Sequence, residues 1–135
     1  MGRLVLILLD THVVIWLASG DARLSGPAQA AIDEARQGVR GLAISDFTLF
    51  EVSLLFRKKR FDLAVTPDAF LSELERRLVV LPITARIALQ ALELPASYPK
   101  DPADRIIGAT ALIEGIPLLT ADREIRKSRA VPTIW

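Results

Sequence analysis

Apolar and polar positions alternate in long blocks along this chain. Leu4–Leu9 is an unbroken apolar run, which predicts a strand buried on both faces. Thr11–Ala18 reads as a short helix, and Gly20-Asp21 as a turn. Ser25 is a good N-cap with Pro27 in the first turn behind it. Ala28, Ala31, Ile32 and Ala35 then recur at helical spacing until Gly38 stops the helix. Gly41–Ile44 is a second short strand, and Ser45 caps a helix running to about Lys59. Pro67–Arg76 is the next helix, Leu78–Leu81 a third strand and Thr84–Leu92 another helix, followed by a loop over 93–101 containing two prolines. "DPADRIIGATALIEG" carries its own punctuation: Asp101 caps, Pro102 opens and Gly115 ends the helix. Pro117–Thr120 predicts a fourth strand, Asp122–Ser128 a short helix, and Val131–Ile134 a fifth strand.

Strands alternating with helices predict an α/β fold. It would be a three-layer sandwich with a central parallel sheet of four or five strands, covered by helices on both faces. At 135 residues the chain reads as one domain, with no linker, repeat or low-complexity stretch. Hydrophobic residues make up 51%, which argues against disorder.

The opening apolar run raises the question of a membrane. A span needs about 20 mostly apolar residues. Leu4–Leu9 is too short, and Asp10 and His12 would lie near the bilayer centre at several kcal/mol cost. No small-residue cleavage site follows, so a signal peptide is not expected. The absence of Cys removes disulfides, thiolate zinc sites and Cys nucleophiles, and it fits a cytoplasmic location. A single His excludes any site built on two. A net charge of +1 points to no partner by itself.

What remains as chemistry is a set of carboxylates. In open α/β sheets, ligands bind beyond the carboxyl ends of the strands. Asp10 ends the first strand, Ser45 and Asp46 follow the second, and Thr120 and Asp122 follow the fourth. Glu51 sits in "SDFTLFEVSLLFRKK" among Phe47, Thr48, Leu54 and Leu55 at helical spacing, with no cation among them. An acid on that apolar face needs a partner or a metal. Asp104 lies in the first turn of its helix, where the dipole favours a carboxylate. Each acid also has a plainer reading. Asp10 or Thr11 can cap the first helix and Asp122 the last, Asp104 can complete a capping box with Asp101, and Glu51 can reach out to solvent. His12 reads as a polar residue at a helix start rather than a ligand. The shared placement of the acids relative to the sheet is what favours a site.

Four segments taken in order, "LLDTHVVIWL", "ISDFTLFEVSLLFRKKRF", "DPADRIIGATAL" and "LLTADREI", resemble the PIN-domain proteins, and among them the VapC-type toxins of prokaryotic toxin–antitoxin pairs. The resemblance covers nearly the whole chain. It implies a Mg²⁺- or Mn²⁺-dependent ribonuclease whose acids correspond to Asp10, Glu51, Asp104 and Asp122, supported by the hydroxyls of Thr11 and Ser45. Asp101 is kept as a cap or supporting group. A cognate antitoxin and an RNA substrate are the partners implied, and a homodimer is expected.

The chemistry is coherent on its own terms. Carboxylates facing one rim repel each other, and a hard cation with oxygen ligands neutralises them. Such an ion activates water and polarises a phosphoryl oxygen without any catalytic His, so 5′-phosphate and 3′-hydroxyl ends are expected. RNA also needs cations outside the acidic centre. "RKKR", which is Arg57, Lys58, Lys59 and Arg60, and Arg123 of "DREIRKSR" are the candidates, although either run can equally be a solvated helix end. A haloacid-dehalogenase-type phosphatase would want Asp where His12 stands. A receiver domain would want paired acids after the first strand and a Lys after the fifth. The rival from another class is a catalytically silent PIN-fold module that binds RNA or protein. It would be favoured by a missing acid, and all four are present.

Overall fold

The computed structural model describes residues 6–38, 41–60 and 63–135. Its elements run β1 (Leu6–Leu9), α1 (Thr11–Ser19), α2 (Gly26–Gln37), β2 (Gly41–Ser45), α3 (Asp46–Arg57) and α4 (Pro67–Arg77). They continue as β3 (Val79–Leu81), α5 (Ala85–Glu93), α6 (Pro102–Glu114), β4 (Leu118–Leu119), α7 (Arg123–Ser128) and β5 (Thr133–Ile134). Every predicted element is present. Residues 4 and 5 of the first predicted strand lie outside the described residues. The strands at the far side of the sheet are shorter than the apolar runs suggest: β4 pairs over two residues and β5 over two, because Pro117 and Pro132 have no amide hydrogen to extend the ladder.

All pairings are parallel, and the order is β3-β2-β1-β4-β5. The chain builds outward from β1 to β3, then crosses back to place β4 on the other side of β1. The sheet therefore reverses its winding between β1 and β4, the topological switch point where such folds hold ligands.

Alternate side chains of the strands enter different cores, as the two-residue period requires. Ile7, Leu9, Leu42, Ile44 and Leu119 join Val13, Val14, Ile32, Val52, Phe70 and Leu74 from α1 to α4 on one face. Leu8, Ala43 and Leu118 join Tyr98, Ile107, Ala111 and Ile125 on the other. A small third cluster, Ile87, Ala91 and Ala109, seals α5 against α6. Both faces of the sheet are thus covered. Among the described residues, no helix is long and apolar enough to cross a membrane.

Helix ends follow the sequence signals. Ser25, Ser45, Thr66, Thr84, Asp101 and Asp122 all cap with side-chain oxygens, and Pro opens α4 and α6. Gly20 and Gly115 take left-handed conformations at C-caps. Helix α3 ends at Arg57, two residues before the predicted Lys59, which itself adopts φ 54° and turns the chain away.

Candidate active site

Asp10 sits where β1 hands over to α1, beside the switch point. It caps α1 with Oδ1, which accepts the Thr11 amide at 2.9 Å. Its other oxygen, Oδ2, accepts the Thr120 hydroxyl at 2.7 Å. Asp10 is buried, and that burial raises its pKa, with the Thr120 bond working in the opposite direction. The capping role is therefore real and coexists with a second, long-range bond.

Thr11 binds the next acid. Its hydroxyl donates to Glu51 Oε1 at 2.6 Å and lies 3.1 Å from the Thr48 hydroxyl. With the Thr11 proton directed at Glu51, the Thr48 hydroxyl is left to donate to Thr11. One residue thus holds Asp10 through its amide and Glu51 through its hydroxyl. Glu51 is half-buried and turned inward rather than out to solvent. Burial raises its pKa, the Thr11 bond lowers it, and the charges of Asp10 and Asp101 raise it further.

Asp104 and Asp122 are placed by helix starts. Asp101 caps α6 and accepts the Asp104 amide at 3.2 Å, while the Asp104 carbonyl accepts the Tyr98 hydroxyl at 3.0 Å. No hydrogen bond from the described residues reaches the Asp104 carboxylate. Burial, followed by the charges of Asp10, Asp101, Asp122 and Glu51, pushes its pKa up to about 7. Asp122 caps α7 through the Ile125 amide at 3.0 Å, and its own amide donates to the Thr120 hydroxyl at 3.1 Å. Thr120 therefore ties the β4 loop to Asp10.

All four acids and Asp101 line one cavity of about 490 Å³, together with Thr11, His12, Trp16, Arg23 and Ala121. Apart from the His12 ring, its possible ligands are carboxylate and hydroxyl oxygens, which suit a hard divalent cation. Among the described residues, no three acids or His12 close into a ligand cage. The acids instead line a shared space, an arrangement compatible with Mg²⁺, which binds through one or two carboxylates and keeps several waters. The raised pKa values of Asp10, Glu51 and Asp104, set first by burial and then by neighbouring acids, and the bare Asp104 carboxylate are the observations that fit a cation here.

Ser45 is buried and accepts the Phe47 amide at 3.1 Å, so it starts the helix that carries Glu51; it is not part of the cavity wall. Of the predicted basic residues, Lys58 and Arg60 line a second cavity next to the acids, with Arg57 and Lys59 outside its wall. Arg123 lines a separate hollow with Arg126, Lys127 and Arg129 on α7.

Several contributors were not identified from sequence. Thr48 lies one helical turn before Glu51, and that spacing was its signal. Thr120 follows the fourth strand in sequence, but only the fold shows its hydroxyl bonded to Asp10. Arg105 donates to the carbonyls of Ala91 and Leu94, both at 3.1 Å, and to Pro95 at 3.3 Å, pinning the α5–α6 loop beside Asp104. Tyr98 in that loop packs on Gly108, where a Cβ would come within 2.6 Å of its ring carbon Cζ. Neither contact leaves a local pattern.

A parallel sheet with clustered acids at its switch point defines a class, and the comparisons agree. The sequence profile of the PIN domain family matches residues 7–130. Ribonuclease VapC22 of Mycobacterium tuberculosis is 37% identical over 131 residues, covering 96% of this chain and 98% of that protein. The chain belongs to the PIN-domain family, among its VapC-type proteins. Among solved structures, VapBC2 from Rickettsia felis, bound to a DNA fragment from its promoter, superposes with a TM-score of 0.69 at 14% identity. That match covers 95% of this chain and 96% of the other. A toxin–antitoxin complex from Klebsiella pneumoniae gives 0.62 at 25% identity, covering 86% of each chain.

Proposed function

We propose that the protein is the toxin of a toxin–antitoxin pair, an endoribonuclease that hydrolyses RNA phosphodiesters with Mg²⁺ or Mn²⁺. The observation that carries this reading is the cavity at the β1/β4 switch point, lined by five carboxylates, of which Asp10, Glu51 and Asp104 have pKa values raised by burial and by neighbouring acids. The 37% identity to a protein named ribonuclease VapC22 supports the activity, and the likeness to a toxin–antitoxin complex supports the biological setting.

On this reading Asp10, Glu51, Asp104 and Asp122 would hold the ion, directly or through water. When bound, the ion supplies a more acidic water and charge neutralisation at the phosphoryl oxygen. Thr11 and Thr120 orient the Asp10 carboxylate, and Thr11, backed by Thr48, orients Glu51. Ser45 fixes the start of α3, and Asp101 the start of α6. The Asp104 carboxyl, its pKa pushed up to about 7 by burial and neighbouring acids, would hold a proton until near-neutral pH and would have to lose it to act as a ligand. Purified protein incubated with RNA should cut only with Mn²⁺ or Mg²⁺ and leave 5′-phosphate and 3′-hydroxyl ends. Cleavage that survives chelator, or ends bearing a cyclic phosphate, would contradict the mechanism. RNA bound tightly but never cut would favour the silent binding module.

A cognate antitoxin would quiet this site by placing an Arg or Lys among the acids in place of the ion. Exposed Phe50 and Leu54 on α3 and Leu89 and Leu92 on α5 provide apolar surface suited to protein partners, the expected homodimer included. Co-expression with the small gene next to this one should relieve growth arrest; arrest that persists unchanged would refute the pairing. Light scattering on the purified chain tests the homodimer.

A further inference from the structure

The acidic cavity has a neighbour of opposite character. His12, Trp16 and Arg23 form part of its wall and also part of a second cavity of about 610 Å³, completed by Ile15, Ser19, Asp21, Leu55, Lys58 and Arg60. The two meet along those three side chains, so one trough runs from the carboxylates to the end of α3. The charge changes sign along it. The first part is lined by five acids; the second by Arg23, Lys58 and Arg60 against Asp21 alone, which is paired with Arg23 at 3.0 Å. Among the described residues, Lys58 and Arg60 are exposed and make no ion pair.

The border between the two parts is planar chemistry. The Trp16 ring is half-buried, with the Trp135 ring centroid 5.8 Å away and the His12 ring centroid 6.2 Å away, both tilted to it. The Arg23 guanidinium lies over Trp16, 5.2 Å from the ring centroid. Aromatic rings and Arg planes are the surfaces on which unpaired bases stack. Cations spaced beyond them suit the backbone of the same strand.

We propose that this trough is a subsite for single-stranded RNA flanking the scissile phosphate. The base of a flanking nucleotide stacks at Trp16 and Arg23, and Lys58 and Arg60 hold the backbone phosphates beyond it. The proposal rests on the nuclease reading and deepens it: it makes the substrate an unpaired strand, because a base held in a duplex cannot reach the platform. It also separates Lys58 and Arg60 from Arg57 and Lys59, which lie off the trough wall. An acidic peptide is the rival occupant. The trough favours RNA because its cations continue directly from a carboxylate site suited to phosphodiester chemistry, with only Ile15 and Leu55 as aliphatic lining.

The chain has two Trp residues, so Trp135→Phe leaves Trp16 as the single indole reporter. In that background, with Asp10→Asn added to block cleavage, a single-stranded hexaribonucleotide should quench Trp16 fluorescence. The same hexamer with an abasic site at the stacked position should bind without quenching, and its duplex should not quench. Adding Lys58→Ala with Arg60→Ala should lower the slope of log affinity against log salt by about 1.4, two single-strand contacts at about 0.7 each. In the otherwise wild-type protein, the same pair should slow hexamer cleavage at least tenfold and leave cleavage of a dinucleotide, too short to reach the trough, unchanged. Asp10→Asn alone should abolish both cleavages, which separates loss of the subsite from loss of the catalytic centre. Quenching that ignores the abasic site, an unchanged salt slope, or an acidic peptide that quenches where the hexamer does not, would overturn the subsite. Base-dependent quenching by a protein that cuts no RNA would keep the groove and overturn the nuclease reading instead.

Discussion

The two halves of the acidic rim are held in different ways. Asp10 and Glu51 are fixed by side-chain hydroxyls from other elements: Thr11 reaches 40 residues ahead to Glu51, and Thr120 reaches back 110 residues to Asp10. Asp104 and Asp122 are placed by the local chemistry of helix starts, through Asp101 at α6 and through Asp122's own cap at α7. In the first half both carboxylates are hydrogen-bonded from other residues. In the second half the Asp122 carboxylate is taken up by its own helix cap, and at Asp104 the carboxylate has no partner among the described residues. The difference suggests a division of labour: a pre-formed anchor on one side, and on the other an acid whose protonation state answers to whatever enters the cavity.

The largest effects should come from removing charge on either side. Asp10→Asn and Asp104→Asn should each keep the fold and lower RNA cleavage by orders of magnitude, measured under Mn²⁺ titration. If Asp104→Asn proves nearly wild type while Asp101→Asn is inactive, the two neighbours have exchanged roles. Asp101→Asn should instead retain most activity, since Asn caps about as well as Asp.

Next in size is the anchor itself. Thr11→Val keeps the shape, removes the donor to Glu51 and should cost about 10- to 100-fold in activity or metal affinity, as lost outer-shell partners do. Thr120→Val should cost about 1–3 kcal/mol of stability in chemical denaturation, because buried Asp10 Oδ2 loses its donor. A variant at either position indistinguishable from wild type would deny the anchor its role.

The smallest and most specific effect is a pH dependence. The Asp104 carboxyl titrates near 7 in the folded chain against an ordinary value of 3.8, so between those limits the folded state binds more protons than the unfolded one. Stability must then fall as pH rises from about 4 to about 7. Asp10 and Glu51, also raised, act with the same sign. The metal-free protein should melt at a lower temperature at pH 8 than at pH 5, and Asp104→Asn should flatten that slope. A melting temperature that climbs over the same range in wild type would show that the acids do not oppose folding.

This contrast also marks what could be read in advance. The second half of the rim was legible because caps, prolines and glycines are local signals: Asp101-Pro102, Asp122 and Gly115 announce their helices in the sequence itself. The sheet was legible for a similar reason, since Leu4–Leu9 is too apolar for a strand exposed on either face. The hydroxyl network was not, because Thr48 and Thr120 become functional only through contacts made across the fold. Arg105 and Tyr98 escaped on the same ground: a guanidinium bound to the carbonyls of Ala91, Leu94, Pro95 and Tyr98 leaves no periodicity. The trough was half visible. "RKKR" is visible in the sequence as a basic run, but only the fold selects Lys58 and Arg60 and sets them on one cavity wall with Trp16.

If these carboxylates act as one unit toward a divalent cation, titrating Mn²⁺ into the wild-type protein in a calorimeter at pH 6 and pH 8 should show binding at both. It should be tighter at pH 8, with protons released at pH 6 as Asp104 gives up its own, and that release should be absent in Asp104→Asn. No binding at millimolar Mn²⁺, or binding with the same affinity at both pH values and in the variant, would contradict it.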